Sequence, residues 1–413
     1  MWQKTKNIYH LNQAILANIM YGFPSRGLTV IGVTGTEGKT TTANLIYHIL
    51  EKAGKSAAVI STTGAIINGK QFDTGYHITT PGRFALQSYL KKARKEKVQY
   101  IVLEVSSHAL DQHRVFGIKP AVGVITNVAN DHLDYHKTWE KYVHAKAKLL
   151  KVSKVAIVNK DDKSYQRIKK YELRNKDKKI ITYGLKRDSD INPHVFQFQT
   201  KLLGQFNKYN CLAAISALQV LHISNEDIQK GIATYKAPIG RQETVYDKEF
   251  KVIIDFATTE YSYNCILPVI KQLTSKRLIH VFGSAGARDA AKRPILGKVA
   301  SQYDDIIVLT AEDPRKEGAE TISDQIAKGI KGFESVDQEN VQSSTFNVKS
   351  KKYVVKISNR KDAIEFAISI AQKGDTVLLT GKGHERSMNY GNGEEPWSEH
   401  ETVKKALEMR GAK

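Results

Sequence analysis

A lysine and a threonine in this sequence have the spacing that binds nucleotide phosphates. Lys39 and Thr40 follow the glycines Gly35 and Gly38, and residues 29–34 before them form a β-branched apolar run. In such a strand, turn and helix start, backbone N–H groups point at the phosphates, the lysine reaches the distal phosphates and the hydroxyl can hold Mg²⁺. The glycines are two residues closer together than in the ordinary P-loop. We therefore expect a nucleoside triphosphate site formed by Thr34, Gly35, Thr36, Gly38, Lys39, Thr40 and Thr41.

Two further polar segments follow predicted strands. Glu104 lies near the end of the apolar run Tyr100–Val105, and the run Gly123–Asn127 leads to Asp131 and His132. The carboxyl ends of parallel strands meet at one sheet edge, so Glu104 is placed to face the P-loop and hold a second Mg²⁺. A histidine that follows a strand beside an aspartate favours a metal-ligand role over a purely structural one. The sequence therefore predicts a metal site beside the nucleotide.

The elements that must position these residues alternate between apolar runs and helical patterns. Such alternation predicts a parallel sheet with helices on both faces and ligands at the carboxyl ends of the strands. After the P-loop strand, the predicted strands are Ala57–Ser61, Tyr100–Val105, Gly123–Asn127 and Val155–Asn159, and the predicted helices are Thr41–Ala53, Arg83–Lys95 and Trp139–Leu150.

A second alternating pattern begins after a Pro-Ile-Gly-Arg turn at residues 238–241. Before it come a lysine-rich, poorly periodic stretch, 160–199, and an alanine-rich helix, Cys211–Leu221. The strands predicted beyond the turn are Val252–Phe256, Leu278–Phe282, Asp305–Thr310 and Thr376–Thr380. We therefore expect a short N-terminal segment, 1–28, a central P-loop ATPase domain with a mostly parallel sheet, 29–238, and a C-terminal Rossmann-like α/β domain, 239–413.

The composition is that of a globular protein in a reducing compartment. Of the 413 residues, 41% are apolar and 25% are charged, and the two cysteines, Cys211 and Cys265, lack disulfide or metal-ligand spacing. No apolar run is long enough to span a bilayer, and no signal-peptide layout is present. We expect a cytoplasmic protein. The apolar stretch Ala14–Phe23 predicts a helix packed on the first domain, with contact to a membrane surface as the alternative.

The formal net charge of +21 could mark nucleic acid, a membrane surface or anionic substrates as partners. The lysine clusters Lys91–Lys97 and Lys169–Lys179 lack the aromatic interleaving of a single-strand binding groove. We therefore expect a solvated lysine-rich surface and no nucleic-acid partner.

Several motifs together resemble the Mur ligase family, and the resemblance runs from about residue 28 to the C-terminus. The order of the EVSSHAL, DHLDYH and GKGHE strings is much more specific than the P-loop alone. The matching segments are TGTEGKTTT at 34–42, EVSSHAL at 104–110, TN…DHLDYH at 126–136, YVHAK at 142–146, GQFNKYN at 204–210, Gly240-Arg241 and GKGHE at 381–385.

The resemblance implies an ATP-driven amide ligase that uses two Mg²⁺ ions, and we expect a monomer. In this family a substrate carboxylate takes the γ-phosphoryl group to give an acyl-phosphate, and an amine then displaces the phosphate. Lys39 and Thr40 would hold the phosphates with one Mg²⁺, and Glu104 and His132 would bind the second. Lys146 matches the lysine that the family carries as a carbamate, an anion that can bind metal. The alternative for Lys146 is an ordinary solvated helix lysine.

The remaining site residues are also implied by the resemblance alone. Lys292 would meet the phosphates as the C-terminal domain closes. The expected contacts are Asn207, Asn210, Arg241 and Asp255 for the nucleotide; Thr79, Thr80, Ser106, Arg114 and His136 for the acyl substrate; and Asp313, Arg315, Gly381 and Glu385 for the amino acid.

The sequence departs from the family pattern in three places. Only residues 1–28 precede the P-loop, where relatives carry a domain that grips UDP. The part between 160 and 204 is shorter and more basic than expected. The usual Asp-Tyr-Ala-His-Thr-Pro string reads DFATTE at 255–260, without the histidine. The acyl substrate is therefore expected to be a muramyl peptide, with or without UDP, or another carboxylate. A polyanion-binding P-loop ATPase is a further hypothesis.

The amino acid is expected to be a diamino acid. Arg315 would pair with a distal carboxylate and Glu385 with a distal ammonium, which together match meso-diaminopimelate. Glu312 and Asp313 replace the usual Asp and Asn, and their added negative charge would suit a cationic side chain such as lysine. Both substrates stay open at this point, with diaminopimelate favoured.

Overall fold

The computed structural model describes residues 2–75, 78–173, 178–336 and 352–411. The described residues divide into two compact units, Met1–Pro238 and Ile239–Lys413. Each unit is an α/β layer structure with its own cores.

Among the described residues of the first unit, eight strands form one sheet in the order β4-β3-β2-β5-β1-β6-β7-β8. All neighbours pair in parallel except β2 with β3 and β3 with β4, which are antiparallel. The strands are β1 Thr29–Thr34, β2 Ala57–Ser61, β3 Gly64–Ile67, β4 Lys70–Phe72, β5 Tyr100–Glu104, β6 Val122–Ile125, β7 Val155–Asn159 and β8 Lys179–Tyr183.

Helices cover both faces of this sheet because successive strand residues point to opposite sides. Along β1, Ile31 and Val33 pack into the core under α2, α8 and α9, whereas Val30 packs into the core under α3 and α4. The helices are α1 Trp2–Tyr21, α2 Lys39–Lys52, α3 Arg83–Lys95, α4 Ser107–Asp111, α5 Leu133–His136, α6 Trp139–Val152, α7 Tyr165–Arg167, α8 Gln205–Val220 and α9 Asn225–Thr234, with a 3₁₀ turn at Pro24–Gly27 and a π turn at Ile168–Glu172.

The second unit has, within its described residues, a seven-stranded sheet in the order β13-β14-β12-β11-β15-β10-β9. All pairs are parallel except β9 with β10. Its strands are β9 Glu243–Asp247, β10 Lys251–Asp255, β11 Leu278–Phe282, β12 Ile306–Leu309, β13 Glu334–Ser335, β14 Tyr353–Lys356 and β15 Thr376–Thr380, followed by the ribbon β16 Ser387–Met388 and β17 Glu395–Pro396. Its helices are α10 Glu260–Leu273, α11 Lys292–Tyr303, α12 Ala319–Ala327, α13 Arg360–Ile370 and α14 Glu399–Met409.

The predicted fold class is confirmed, and the structure adds strands that the sequence did not reveal. The predicted parallel strands are present to within a residue or two of their ends. The hairpin of β3 and β4, the edge strands β8 and β9, and β14 were missed. Strand β8 lies inside the lysine-rich stretch predicted to be poorly periodic, because this edge strand is only five residues long and shows only a short apolar run.

The stretch Ala14–Phe23 lies mostly in α1, which packs on α3 and buries Ala14, Ala17 and Asn18. Asn18 Nδ2 donates to Phe116 O at 2.9 Å. Among the described helices, none is long and apolar enough to cross a bilayer.

Candidate active site

The P-loop turn requires glycine at two positions. Gly38 begins α2 at φ 78°, and a Cβ there would collide with the Oδ1 atom of Asn210. Gly35 has φ 155°, and a Cβ there would collide with the Oγ1 atom of Thr126. Any side chain would therefore push the loop away from the residues that support it.

Residues after β6 hold this turn in place from behind. Glu37 N donates to Asn127 Oδ1 at 3.0 Å, Asn127 Nδ2 donates back to Glu37 O at 3.1 Å, and Thr126 Oγ1 donates to the same carbonyl at 2.6 Å. Thr126 and Asn127 belong to the TN…DHLDYH motif, but the sequence alone predicted no role for them. Their position directly after a parallel strand next to β1 was the available signal.

Two of the residues predicted to contact the phosphates, Lys39 and Thr34, have polar side-chain atoms at the P-loop. Lys39 Nζ donates to Thr36 O at 2.8 Å, so the ammonium lies over the turn that would hold the phosphates. The hydroxyl of Thr34 is buried without a hydrogen-bond partner among the described residues. Buried polar atoms usually have a hydrogen-bond partner, so this hydroxyl fits a contact with a polar ligand bound at the loop.

Glu104 and Thr40 bring oxygen atoms together beside the P-loop. The strand register sets Glu104 next to Val33, at the end of β1. Thr40 Oγ1 donates to Glu104 Oε1 at 3.0 Å, Thr62 Oγ1 donates to the same oxygen at 2.9 Å, and Thr62 N donates to Oε2 at 2.8 Å. Hydroxyl and carboxylate oxygens are the ligands that Mg²⁺ prefers. Thr62, just beyond β2, was not predicted.

Lys146 is buried in α6 behind the same loop. The side chain is 1% exposed, Nζ donates to Gly35 O at 2.5 Å, and Nζ lies 4.3 Å from the centroid of the Tyr142 ring. Burial, with a further contribution from Lys39, holds the pKa of Lys146 well below its usual range. In the part of the chain that the structure describes, no carboxylate lies within ion-pair distance of this amine. Lys146 is therefore not a solvated helix lysine.

His132 lies in a cluster of aromatic rings that includes Tyr142 of α6, the helix that carries Lys146. Its Nε2 atom is 3.4 Å from Asp131 Oδ2, and its ring contacts His108 at 4.9 Å between centroids. Burial lowers the pKa of His132 and lowers the pKa of His108 and of His136 to about 4. The unprotonated imidazole that a metal ligand needs is therefore the stable form at neutral pH.

The residues predicted for the acyl substrate converge after β5. Thr80 Oγ1 donates to Glu104 O at 3.0 Å and accepts from Ser106 N at 2.9 Å, and Arg114 Nη1 donates to Thr80 O at 2.8 Å. Thr79 is the neighbour of Thr80 in the same loop. His136 is buried, with Nε2 3.0 Å from the Ser107 hydroxyl, so it lies beside this group and supports α4.

The residues predicted for the nucleotide base and ribose are divided between the units. In the first unit, Asn210 Nδ2 donates to Asn207 Oδ1 at 2.9 Å, and both asparagines are buried beneath the P-loop helix. In the second unit, the Arg241 guanidinium lies 4.5 Å from the Phe256 ring centroid, and the two oxygens of Asp255 accept backbone N–H groups at 2.8 and 2.7 Å.

Two loops of the second unit carry the residues predicted for the amino acid. Lys382 is fully buried, with Nζ 2.9 Å from Asp313 Oδ1 and 2.7 Å from Glu385 Oε2. Arg315 Nη1 donates to Gly286 O at 3.2 Å. Lys292, at the start of α11, donates to Thr258 O at 3.0 Å. Burial raises the pKa of Glu312, against which Gly381 packs, to about 7.

A buried ion pair that sequence reasoning missed joins these two loops. Arg360 donates to Glu399 from Nε at 3.1 Å and from Nη2 at 2.5 Å. The same guanidinium donates to Ala311 O at 3.2 Å and to Thr380 O at 2.8 Å, directly before Glu312 and Gly381. Nothing in the local sequence of α13 or α14 indicates this pairing, because the partners come from distant segments.

Comparison with known proteins agrees with this geometry. Residues 33–218 match the Mur ligase middle domain, and residues 240–383 match the Mur ligase, glutamate ligase domain. The chain belongs to the Mur ligase family. This Mur ligase is therefore an ATP-dependent amide ligase, as the motifs implied.

The relatives extend over nearly the whole chain. The UDP-N-acetylmuramoyl-L-alanyl-D-glutamate–2,6-diaminopimelate ligase of Aquifex aeolicus is 37% identical, over 95% of this chain and 80% of that protein. The UDP-N-acetylmuramyl-tripeptide synthetase of Borrelia garinii subsp. bavariensis is also 37% identical, over 95% of this chain and 78% of that protein. A solved diaminopimelate ligase structure aligns with a TM-score of 0.61 at 29% identity, over 93% of this chain and 79% of that one.

Proposed function

We propose that this Mur ligase joins a diamino acid to the carboxylate of a muramyl peptide, through an acyl-phosphate, during peptidoglycan precursor synthesis in the cytoplasm. Relatives named as diaminopimelate ligases or tripeptide synthetases support the substrate class. The observation that carries the proposal is Lys146, an amine buried behind the P-loop without a carboxylate partner among the described residues.

Mg²⁺ fits the oxygen pair of Thr40 and Glu104, and when bound it would neutralise phosphate charge. No group of three or more His, Cys, Asp or Glu side chains that could hold a metal occurs in the described ranges. A second ion would be bound by Glu104, His132 and Lys146, and an amine fits that role only as a carbamate. We therefore propose that Lys146 is carbamylated, since its lowered pKa leaves the amine unprotonated and able to react with CO₂.

The chain's own residues then position the reactants. Lys39 would neutralise the transferring phosphoryl group, where one preorganised electrostatic contact is worth about 10²–10³ in rate. Thr80, Ser106 and Arg114 would hold the acyl substrate so that its carboxylate reaches the γ-phosphate. The nucleotide base and ribose would meet Asn207, Asn210, Arg241 and Asp255, and Lys292 would contact the phosphates.

The charges in the amino-acid loops favour meso-diaminopimelate over lysine. Lys382 lies within ion-pair distance of Asp313, so a buried cation counters one of the two extra acidic groups. Burial raises the pKa of the other, Glu312, to about 7, which reduces its negative charge at neutral pH. Arg315 has no carboxylate within ion-pair distance in the described part of the unit, and its fork is available for the distal carboxylate of the substrate. Lysine would leave that guanidinium without an anionic partner.

A coupled ADP-release assay tests the proposal. Muramyl dipeptide linked to UDP, its lipid-linked form and free peptides are each assayed with meso-diaminopimelate, L-lysine and other amino acids. We expect ADP release to require both a muramyl peptide and a diamino acid. Release that depends on neither, or that is stimulated by nucleic acid instead, would contradict the ligase proposal.

A further inference from the structure

Two arginines near the proposed acyl site lie close to one glutamine. Arg83 begins α3, and Arg114 follows α4. Arg83 Nη2 donates to Gln112 O at 2.6 Å, and Arg114 Nη2 donates to Gln112 Oε1 at 2.9 Å, so one glutamine contacts both guanidinium groups. In the described residues, neither arginine has a carboxylate within ion-pair distance.

Helix α1 adds further polar and basic groups to this place. Gln13 Oε1 accepts from Arg83 Nη1 at 3.3 Å. Burial and the charges of Arg83 and Arg114 lower the pKa of His10, and burial and the charge of Arg114 lower the pKa of Arg83. The Nε atom of Arg83 and the Nδ1 atom of His10 are buried without a hydrogen-bond partner among the described residues.

The nearby carboxylate is already engaged. Asp111 lies 2.8 Å from Lys148 Nζ and accepts from the Tyr135 hydroxyl at 3.0 Å. Its negative charge is therefore shared with Lys148, and the two guanidinium groups keep an excess of positive charge. Like charges held together in a partly buried place are unfavourable unless an anion joins them.

We propose that Arg83, Arg114 and the His10–Gln13 turn of α1 form an oxyanion subsite that holds a phosphoryl group of the acyl substrate. This inference rests on the proposed function. Arg114 donates to the carbonyl of Thr80, so the subsite is continuous with the proposed acyl site. A guanidinium fork pairs with phosphate bidentately, and two forks suit a multiply charged group. Helix α1, at the N-terminus, thereby contributes to substrate binding.

Kinetics with two acyl substrates test the subsite. In Arg83→Met, we expect KM for UDP-linked muramyl dipeptide to rise about tenfold or more, since hydrogen bonds to charged groups are strong. KM for the same dipeptide without phosphate, and KM for ATP, should stay unchanged. Arg83→Lys should give an intermediate rise, because the charge stays and the fork is lost. Arg94→Met is the matched control, as Arg94 is an exposed arginine in the same helix.

Direct binding separates this inference from the proposed function. Calorimetry with inorganic pyrophosphate, in the presence of a saturating non-hydrolysable ATP analogue, should show binding that weakens about tenfold in Arg83→Met and is kept in Arg94→Met. That result supports the subsite even if no muramyl peptide is turned over, which would refute only the proposed function. Equal pyrophosphate binding by wild type and Arg83→Met, or an equal rise in KM for both acyl substrates, would overturn the subsite.

Discussion

Two lysines in this molecule are equally buried and differ in what surrounds them. Lys146 in the first unit is 1% exposed and meets a carbonyl and an aromatic ring. Lys382 in the second unit is 0% exposed and lies within 3 Å of two carboxylates, Asp313 and Glu385. Burial alone therefore does not define a lysine's role.

The difference is one of charge balance. Desolvation without a counter-charge favours the neutral amine, which is a nucleophile and can be carbamylated. Desolvation beside two carboxylates is compensated by ion pairs and hydrogen bonds, which tie the loop of residues 381–385 to Asp313. We therefore expect Lys146 to matter for chemistry and Lys382 to matter for structure.

The largest effect is expected at Lys146. Lys146→Met should lower kcat by about 10²–10³, because it removes the proposed carbamate, while the unfolding temperature stays at or above that of the wild type. Steady-state kinetics and calorimetry measure the two quantities. Added short-chain carboxylates should restore part of the activity by supplying the missing anion. Full activity of the variant would refute the carbamate proposal.

Lys382→Met should show the opposite pattern. Lys382→Met removes the buried ammonium that pairs with Asp313 and Glu385, and loss of one member of a buried charge cluster costs about 3–5 kcal/mol. Urea unfolding of the second unit measures the loss. Lys361→Met is the matched control, since its side chain is 58% exposed and its pair with Glu365 spans 3.6 Å. If both variants unfold at the same urea concentration, Lys382 has no structural role.

Arg315→Lys tests whether this residue selects the amino-acid substrate. Loss of the bidentate fork should raise KM for meso-diaminopimelate about tenfold and leave KM for ATP unchanged. Lys316→Met, at the exposed neighbouring position, serves as the control. A wild type that prefers L-lysine and an Arg315→Lys variant that behaves identically would show that the fork does not select the substrate.

The most gradual effect is expected from pH. The pKa of Lys146 is lowered in the folded protein, so above the folded pKa and below about 10.4 only the unfolded chain binds this proton. The free energy of unfolding should therefore rise with pH toward about 10 in CO₂-free buffer, by up to about 1.4 kcal/mol per pH unit. Lys146→Met should lack this increment. Parallel pH profiles for the two proteins would contradict the prediction.

The sequence predicted more of the first unit's site than of the second's. Around the P-loop, short motifs directly follow buried strands, and parallel strands end at one edge, so local patterns were enough to group Lys39, Thr40 and Glu104. The supporting contacts of Thr62 and Asn127 were missed because their partners are distant in the sequence. In the second unit, the pairing of Arg360 with Glu399 was missed for the same reason.

The sequence by itself determined the fold class, the P-loop and the family, because strand and helix periodicity and motif order are local properties of the chain. Tertiary structure decided the state of each charged side chain. Whether a lysine is neutral and reactive, like Lys146, or held between carboxylates, like Lys382, depends on groups that folding brings from distant segments. The same holds for Arg83 and Arg114, whose shared excess of charge arises only where α1, α3 and the segment after α4 meet.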